Sequence, residues 1–228
     1  MSNAVLLSGG TVVTVDATDR VFVGDVLLRD GRIEALGPTG TVKATAGTRV
    51  VDVSGDIVCP GFVQAHVHLC QVLFRGIAED RALLPWLTER IWPLEKAHDA
   101  DTLRASARLG LAELLLGGTT SLLDMGTVRH TEVIFEAAAA MGVRYTGGKA
   151  MMDRKNPAGL DESTAAALSS SNELADRFHG AADGRLRYAY APRFILSCTD
   201  ELLGETARAA RAVSFSSSSV QERMKRGA

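Results

Sequence analysis

"DADTLRASARLGLAELLLGGTTSLLDM", residues 99–125, holds the change of rhythm on which the fold turns. It opens on Asp99 and Asp101, residues that cap a helix by accepting hydrogen bonds from its first free N–H groups. Apolar residues then recur at helical spacing as far as Gly117-Gly118, a pair that ends a helix readily. "TTSLLDM" (119–125) follows as a short strand. Helix followed at once by strand is the unit of a parallel sheet with helical crossovers.

The rhythm extends to both sides. "FVQAHVH" (62–68) reads as the strand before this helix. Downstream come helix "TEVIFEAAAAMG" (131–142), strand "VRYTGGKAMM" (143–152) and helix "DESTAAALSSSNELADRFHG" (161–180). Strand "RLRYAYAP" (185–192) and helix "TDELLGETARAARA" (199–212) complete the set. Four βα units in succession make half of a (β/α)8 barrel or an open doubly wound sheet. The stretch from residue 59 to 228 is shorter than the ~200–250 residues of a closed barrel, so the expected fold class is α/β with an open sheet or an incomplete barrel. After Arg211, "AVSFSSSSVQERMKRGA" has no packing period, and Val213-Ser214-Phe215 is at best the start of a fifth strand.

Residues 1–58 read differently. Short Val-, Ile- and Leu-rich runs alternate with Gly and Asp turns, and Asp30-Gly31 is a strong hairpin signal. No helical period appears before residue 80, so this stretch is a small β-domain.

Composition narrows the function. Hydrophobic residues make up 46% of the chain, enough for a substantial core, and the net charge of −2 with few aromatics offers no nucleic-acid surface. Small molecules are the expected partners. The cysteines Cys59, Cys70 and Cys198 form no CxxC pair and no disulfide framework. The start "MSNAVLLSGG" has no signal-peptide pattern, and no apolar run reaches the ~18 residues of a membrane span. Cytoplasm is the expected compartment.

Two of the five histidines, His66 and His68, stand two apart at the end of the first strand after the domain change. In a strand, such residues point to one face, the geometry for gripping one metal ion. Barrel enzymes build their sites at this end of their strands, and imidazole is a common zinc ligand. Two polar residues hydrogen-bonded to loops at a strand end is the plainer alternative. The sequence lacks the HxE…PCxxC deaminase signature, GxSxG, a P-loop and GxGxxG after a strand. Lys149 closes the third strand rather than the fourth, so a bridging lysine for two metals has no candidate, and one ion is expected.

"VCPGFVQAHVHLCQVLFRGIAED" (58–80) and "LLPWLTERIWPLEKAH" (83–98) closely resemble the amidohydrolase superfamily, in the branch of purine nucleoside deaminases and triazine hydrolases. "GLAELLLGGTTSLLDM" (110–125) and "YAPRFILSCTDELL" (190–203) match the same branch in the same order, so the resemblance covers about residues 4–212. The string is most similar to 5′-deoxyadenosine and S-adenosylhomocysteine deaminases. The resemblance implies an incomplete (β/α)8 TIM-type barrel, its first four βα units at 59–212, preceded by half of a small β-sandwich at 1–58 and followed by a divergent tail at 213–228. It implies one zinc or iron ion on His66 and His68, and hydrolytic loss of ammonia from a purine nucleoside or related heterocycle. Glu95 would match the carboxylate that binds ribose hydroxyls, and Gln71 a glutamine that guanine deaminases use on the base. Trp86 and Trp92 would line the substrate mouth.

The chain also departs from the pattern. Arg193 stands in "APRF" where nucleoside deaminases often carry histidine. Members of the family continue with a strand ending "HTHASE", which supplies a third ligand and the general acid/base glutamate. Here "AVSFSSSSVQERM" takes that place, so no catalytic acid/base is assigned, and His98, His130 and His179 fall at no family position. The resemblance therefore implies a truncated hydrolase, inactive by itself. The alternative is a non-catalytic half-barrel whose open sheet edges favour self-association.

Overall fold

The computed structural model describes residues 4–154 and 159–225. They form two compact units, Met1–Gly61 and Phe62–Ala228.

In the first unit, five strands are described: β1 (Ala4–Val13), β2 (Val21–Arg29), β3 (Arg32–Pro38), β4 (Arg49–Asp52) and β5 (Ile57–Val58). They make one mixed sheet in the order β3-β2-β1-β4, with β5 also parallel to β1. Arg29 pairs with Arg32, leaving a two-residue turn of Asp30 (φ 49°) and Gly31 (φ 74°). Two left-handed residues in succession give the turn that matches strand twist, which Asp-Gly favours. Ala4, Leu6, Val12, Val26 and Leu27 are the buried apolar residues of this sheet.

The second unit begins with β6 (Phe62–Val67), then a 3₁₀ segment at Leu69–Phe74, α1 (Leu83–Trp86), a π-turn at Leu87–Ile91 and α2 (Trp92–Ala97). Next come α3 (Ala100–Leu116), β7 (Thr119–Asp124), α4 (Thr131–Met141), β8 (Arg144–Gly147), β9 (Ala150–Met151) and α5 (Thr164–Phe178). The unit closes with α6 (Ala181–Gly184), β10 (Leu186–Tyr188), β11 (Ala191–Pro192) and α7 (Asp200–Lys225). Among the described residues, four strands pair in parallel in the order β10-β8-β7-β6, each beside its neighbour in sequence. That order is the one successive βα units generate.

Two expected strands are interrupted. "VRYTGGKAMM" divides into β8 and β9 around Gly148, and "RLRYAYAP" into β10 and β11; β9 and β11 pair with each other. Val213-Ser214-Phe215, at best the start of a fifth strand by sequence, falls within α7, which runs Asp200–Lys225. A helix already nucleated extends more readily than a new strand begins.

Asp99 caps α3 reciprocally: its carboxylate accepts Thr102 N–H at 2.8 Å, while Thr102 Oγ1 accepts Asp99 N–H at 3.1 Å. Leu103, Ala107 and Leu111 form the buried stripe of that helix and Ile134, Phe135 and Ala138 that of α4. Phe135 sits at the centre, edge-on to Tyr145 at 4.8 Å and stacked on Phe178 at 4.7 Å. Gly110 belongs to the same face. A Cβ there would lie 2.7 Å from Val72 and 3.0 Å from Leu69, so its absence lets α3 press against the turn that follows His68.

Candidate metal centre

β6 ends at Val67, at the C-terminal edge of the parallel sheet; His66 lies on the strand and His68 just beyond it, and both line one cleft. Their Nε2 atoms lie 3.3 Å apart, with the rings inclined at 68°. Two imidazoles bound to one tetrahedral zinc at 2.0–2.1 Å would hold their nitrogens about 3.3 Å apart. The spacing therefore fits a shared ion. His68 is pulled down to about 4, chiefly by burial and then by the nearby Arg193 charge, against the opposing effect of Glu95. It is neutral at pH 7, the form that binds a metal. Among the described residues, no group of three or more His, Cys, Asp or Glu is placed to hold an ion.

The pair opens on a cleft of about 540 Å³ whose wall includes Gln71, Trp86, Leu87, Asp124, Tyr190 and Arg193. Behind it lies Glu95, with only 1% of its side chain exposed. Arg193 donates to both its oxygens, Nη1 to Oε2 at 2.6 Å and Nη2 to Oε1 at 3.1 Å. Gln71 Nε2 donates to Oε1 at 2.8 Å, which turns the Gln71 carbonyl oxygen away from the carboxylate. Three charge-assisted bonds from two residues thus occupy Glu95. The Cys70 thiol beside it donates to Gly126 O at 3.4 Å. Burial, then the Glu95 and Asp124 charges, raise its pKa well above the usual range, so it stays protonated and unreactive.

Asp124, the last residue of β7, was absent from the residues singled out in the sequence. It is 1% exposed, and accepts Leu69 N–H and Tyr145 O–H, both at 2.9 Å. Burial pushes its carboxyl up to about 6, although these hydrogen bonds and one from Gly126 oppose the rise. The signal available was an acid ending an apolar strand, "SLLD", at the edge of the sheet where the His pair also stands.

The other expected residues are placed as follows. Gln71 and Trp86 line the cleft. Trp92 lies in an apolar cluster with Leu87, Ile91, Val128, Ala150, Met152 and Leu160, at 5% exposure. Lys149 pairs with Glu162. His98 holds the Cys70 carbonyl, and His179 accepts the Tyr188 N–H.

Residues 57–216 match the amidohydrolase family. The chain belongs to that family. It is 38% identical to the 5-methylthioadenosine/S-adenosylhomocysteine deaminase of Halobacterium salinarum over 216 residues, covering 92% of this chain and 47% of that protein. In structure it resembles E. coli guanine deaminase (TM-score 0.80, 30% identity, 92% of this chain and 51% of that one). An atrazine chlorohydrolase from Arthrobacter aurescens TC1 complexed with zinc shares the fold (TM-score 0.82, 24% identity, 92% and 51%). The chain thus spans about half the length of the curated relatives it matches. Its parallel sheet is part of the amidohydrolase barrel, and its relatives include deaminases that act on small molecules.

Proposed function

We propose that this chain carries part of the metal site and part of the substrate cleft of a hydrolase that removes ammonia from a purine or related aminated heterocycle. The observation that carries the reading is the 3.3 Å spacing of the His66 and His68 nitrogens at the mouth of a cleft that also holds Arg193 and Gln71. His66 and His68 would hold one ion, zinc in the first instance and iron as the alternative. Zinc in such a site brings the pKa of a water it binds close to 7. Gln71 presents its carbonyl oxygen and Arg193 its guanidinium edge to a planar, hydrogen-bonding ring. Asp124 closes the floor, and Trp86 supplies apolar wall. The mixed sheet of the first unit serves as half of a β-sandwich, and the protein works in the cytoplasm. Among the described residues, no helix is long and apolar enough to cross a membrane.

Within that substrate class, the pairing of Glu95 favours a free base over a nucleoside. A carboxylate that already accepts three N–H groups has little capacity left for ribose hydroxyls. The outer edge of β6, where Phe62 is 61% and Val63 72% exposed, supports association with a second copy.

Ammonia release tests the reading. The 228-residue polypeptide should release almost none from guanine or 5′-deoxyadenosine, because removing a general acid/base commonly costs about 10²–10⁴-fold. Fusion to the second half of the Halobacterium deaminase should restore turnover, with guanine preferred. A folded, zinc-loaded fusion inactive on every purine and triazine tried would sink the proposal, as would enzyme-like rates from the 228 residues alone. Light scattering after size exclusion checks self-association, and a monomer at high concentration counts against it.

A further inference from the structure

His68 is followed at once by two residues, Leu69 and Cys70, three of whose backbone groups are held by side chains from other parts of the fold. The Leu69 N–H donates to Asp124 Oδ1 at 2.9 Å. Ser106 Oγ, on α3, donates to the Leu69 carbonyl at 2.7 Å. His98 Nε2 lies 2.8 Å from the Cys70 carbonyl; a carbonyl only accepts, so Nε2 carries the hydrogen. Asp124, Ser106, Leu69 and Cys70 are at most 1% exposed and His98 is 8% exposed, so no water competes for these groups. The His68 backbone itself (φ −121°, ψ 87°) belongs to neither strand nor helix, and nothing regular in the chain dictates its direction.

We propose that Asp124, Ser106 and His98 are positioning residues: they clamp the His68–Cys70 turn so that His68 meets His66 at a single point. Each satisfies a peptide group that burial would otherwise leave unpaired. Removing one frees the turn to rotate toward another partner, and the His68 imidazole moves with it. Ligand-supporting groups one step removed from a metal commonly account for 10–100-fold in its affinity. The Gly110 notch belongs to the same device, since it brings α3 close enough for Ser106 to reach. The proposal rests on the metal reading of His66 and His68.

The test uses Zn²⁺ titrated calorimetrically into the 228-residue protein and four variants. Ser106→Ala and His98→Phe each delete one clamp bond, the latter keeping an aromatic ring against Phe74, on which His98 stacks at 5.1 Å. Thr131→Val is the control, because it removes a buried hydroxyl-to-carbonyl bond of 2.8 Å, from Thr131 to Thr127, that is none of the three clamp bonds. His66→Ala establishes that binding uses the pair. The clamp variants should bind Zn²⁺ about tenfold more weakly, while the control binds as the parent does. Hydrogen exchange at the Leu69 and Gln71 amides should accelerate about tenfold in the clamp variants, without matching acceleration at Leu111 or Tyr145. Unchanged affinity in both clamp variants, or an equal loss in the control, overturns the proposal. If the parent shows no zinc binding that depends on His66, the metal reading falls. Exchange then decides the clamp alone, and unaccelerated Leu69 and Gln71 overturn it.

Discussion

Replacing Asp124 by asparagine tests the electrostatics of the cleft floor. The carboxyl titrates near 6 in the folded protein, raised by burial, against the ordinary 3.8 of an exposed aspartate. Between these values the folded protein holds a proton that the unfolded chain has released. Its stability therefore has this contribution in full below 3.8 and loses it as pH rises through 6. The gap is worth about 3 kcal/mol in all, of which about 1.4 kcal/mol falls between pH 5 and pH 7.5. The group is fully buried, so solvent screening takes little from that figure. The Asp124→Asn variant keeps the shape and an acceptor for Leu69 but has no proton to lose. Urea unfolding at several pH values, followed by the fluorescence of Trp86 and Trp92, reports on the Phe62–Ala228 unit that contains both. The stability of the parent minus that of the variant should fall by about 1.4 kcal/mol from pH 5 to pH 7.5. A difference that stays flat, or grows with pH, refutes a raised carboxyl at this position.

Two further outcomes follow from the packing. Arg193→Ala or Glu95→Ala leaves a buried charge unpaired and should cost about 3–5 kcal/mol; the double change to methionine should recover most of it, as urea midpoints will show. Gly126→Ala forces a side chain into φ 72° and against the Gly148 carbonyl, so a loss of at least about 1–2 kcal/mol is expected. A variant that melts with the parent would show that the loops after β7 and β8 have room to separate.

Local chemistry accounts for what could be read from the sequence. Asp30-Gly31 forms its turn because both residues tolerate left-handed backbone, and Asp99 caps α3 because Thr102 lies within one helical turn. The order β6, β7, β8, β10 follows from four strand–helix units whose crossovers leave little freedom of arrangement. Contacts between distant residues were not legible. Nothing in "WPLE" announces that Glu95 accepts from an arginine 98 positions away. Nor does "SLLD" reveal that Asp124 reaches back 55 positions to the Leu69 peptide. A tryptophan on a helix suits core and cleft equally well by composition; Trp92 is buried in the apolar cluster, while Trp86 packs on the edge of that cluster and lines the cleft. The break around Gly148 has a signal in the Gly147-Gly148 pair, since glycine weakens a strand, whereas the break around Ala189 lies between two tyrosines, which favour strands.

The turn after His68 also sets an order of events during folding. Its backbone partners arrive from 28, 37 and 55 positions downstream, so it cannot take its final shape until α3 and β7 have docked on β6. Closing loops of that length precedes any reward from the contacts they bring. An ion meeting the nascent chain would find two independent imidazoles on a mobile strand rather than a matched pair. On the proposed metal reading, the ion would therefore arrive late, recruited by a turn already assembled, and would not be a template around which this half of the sheet is built.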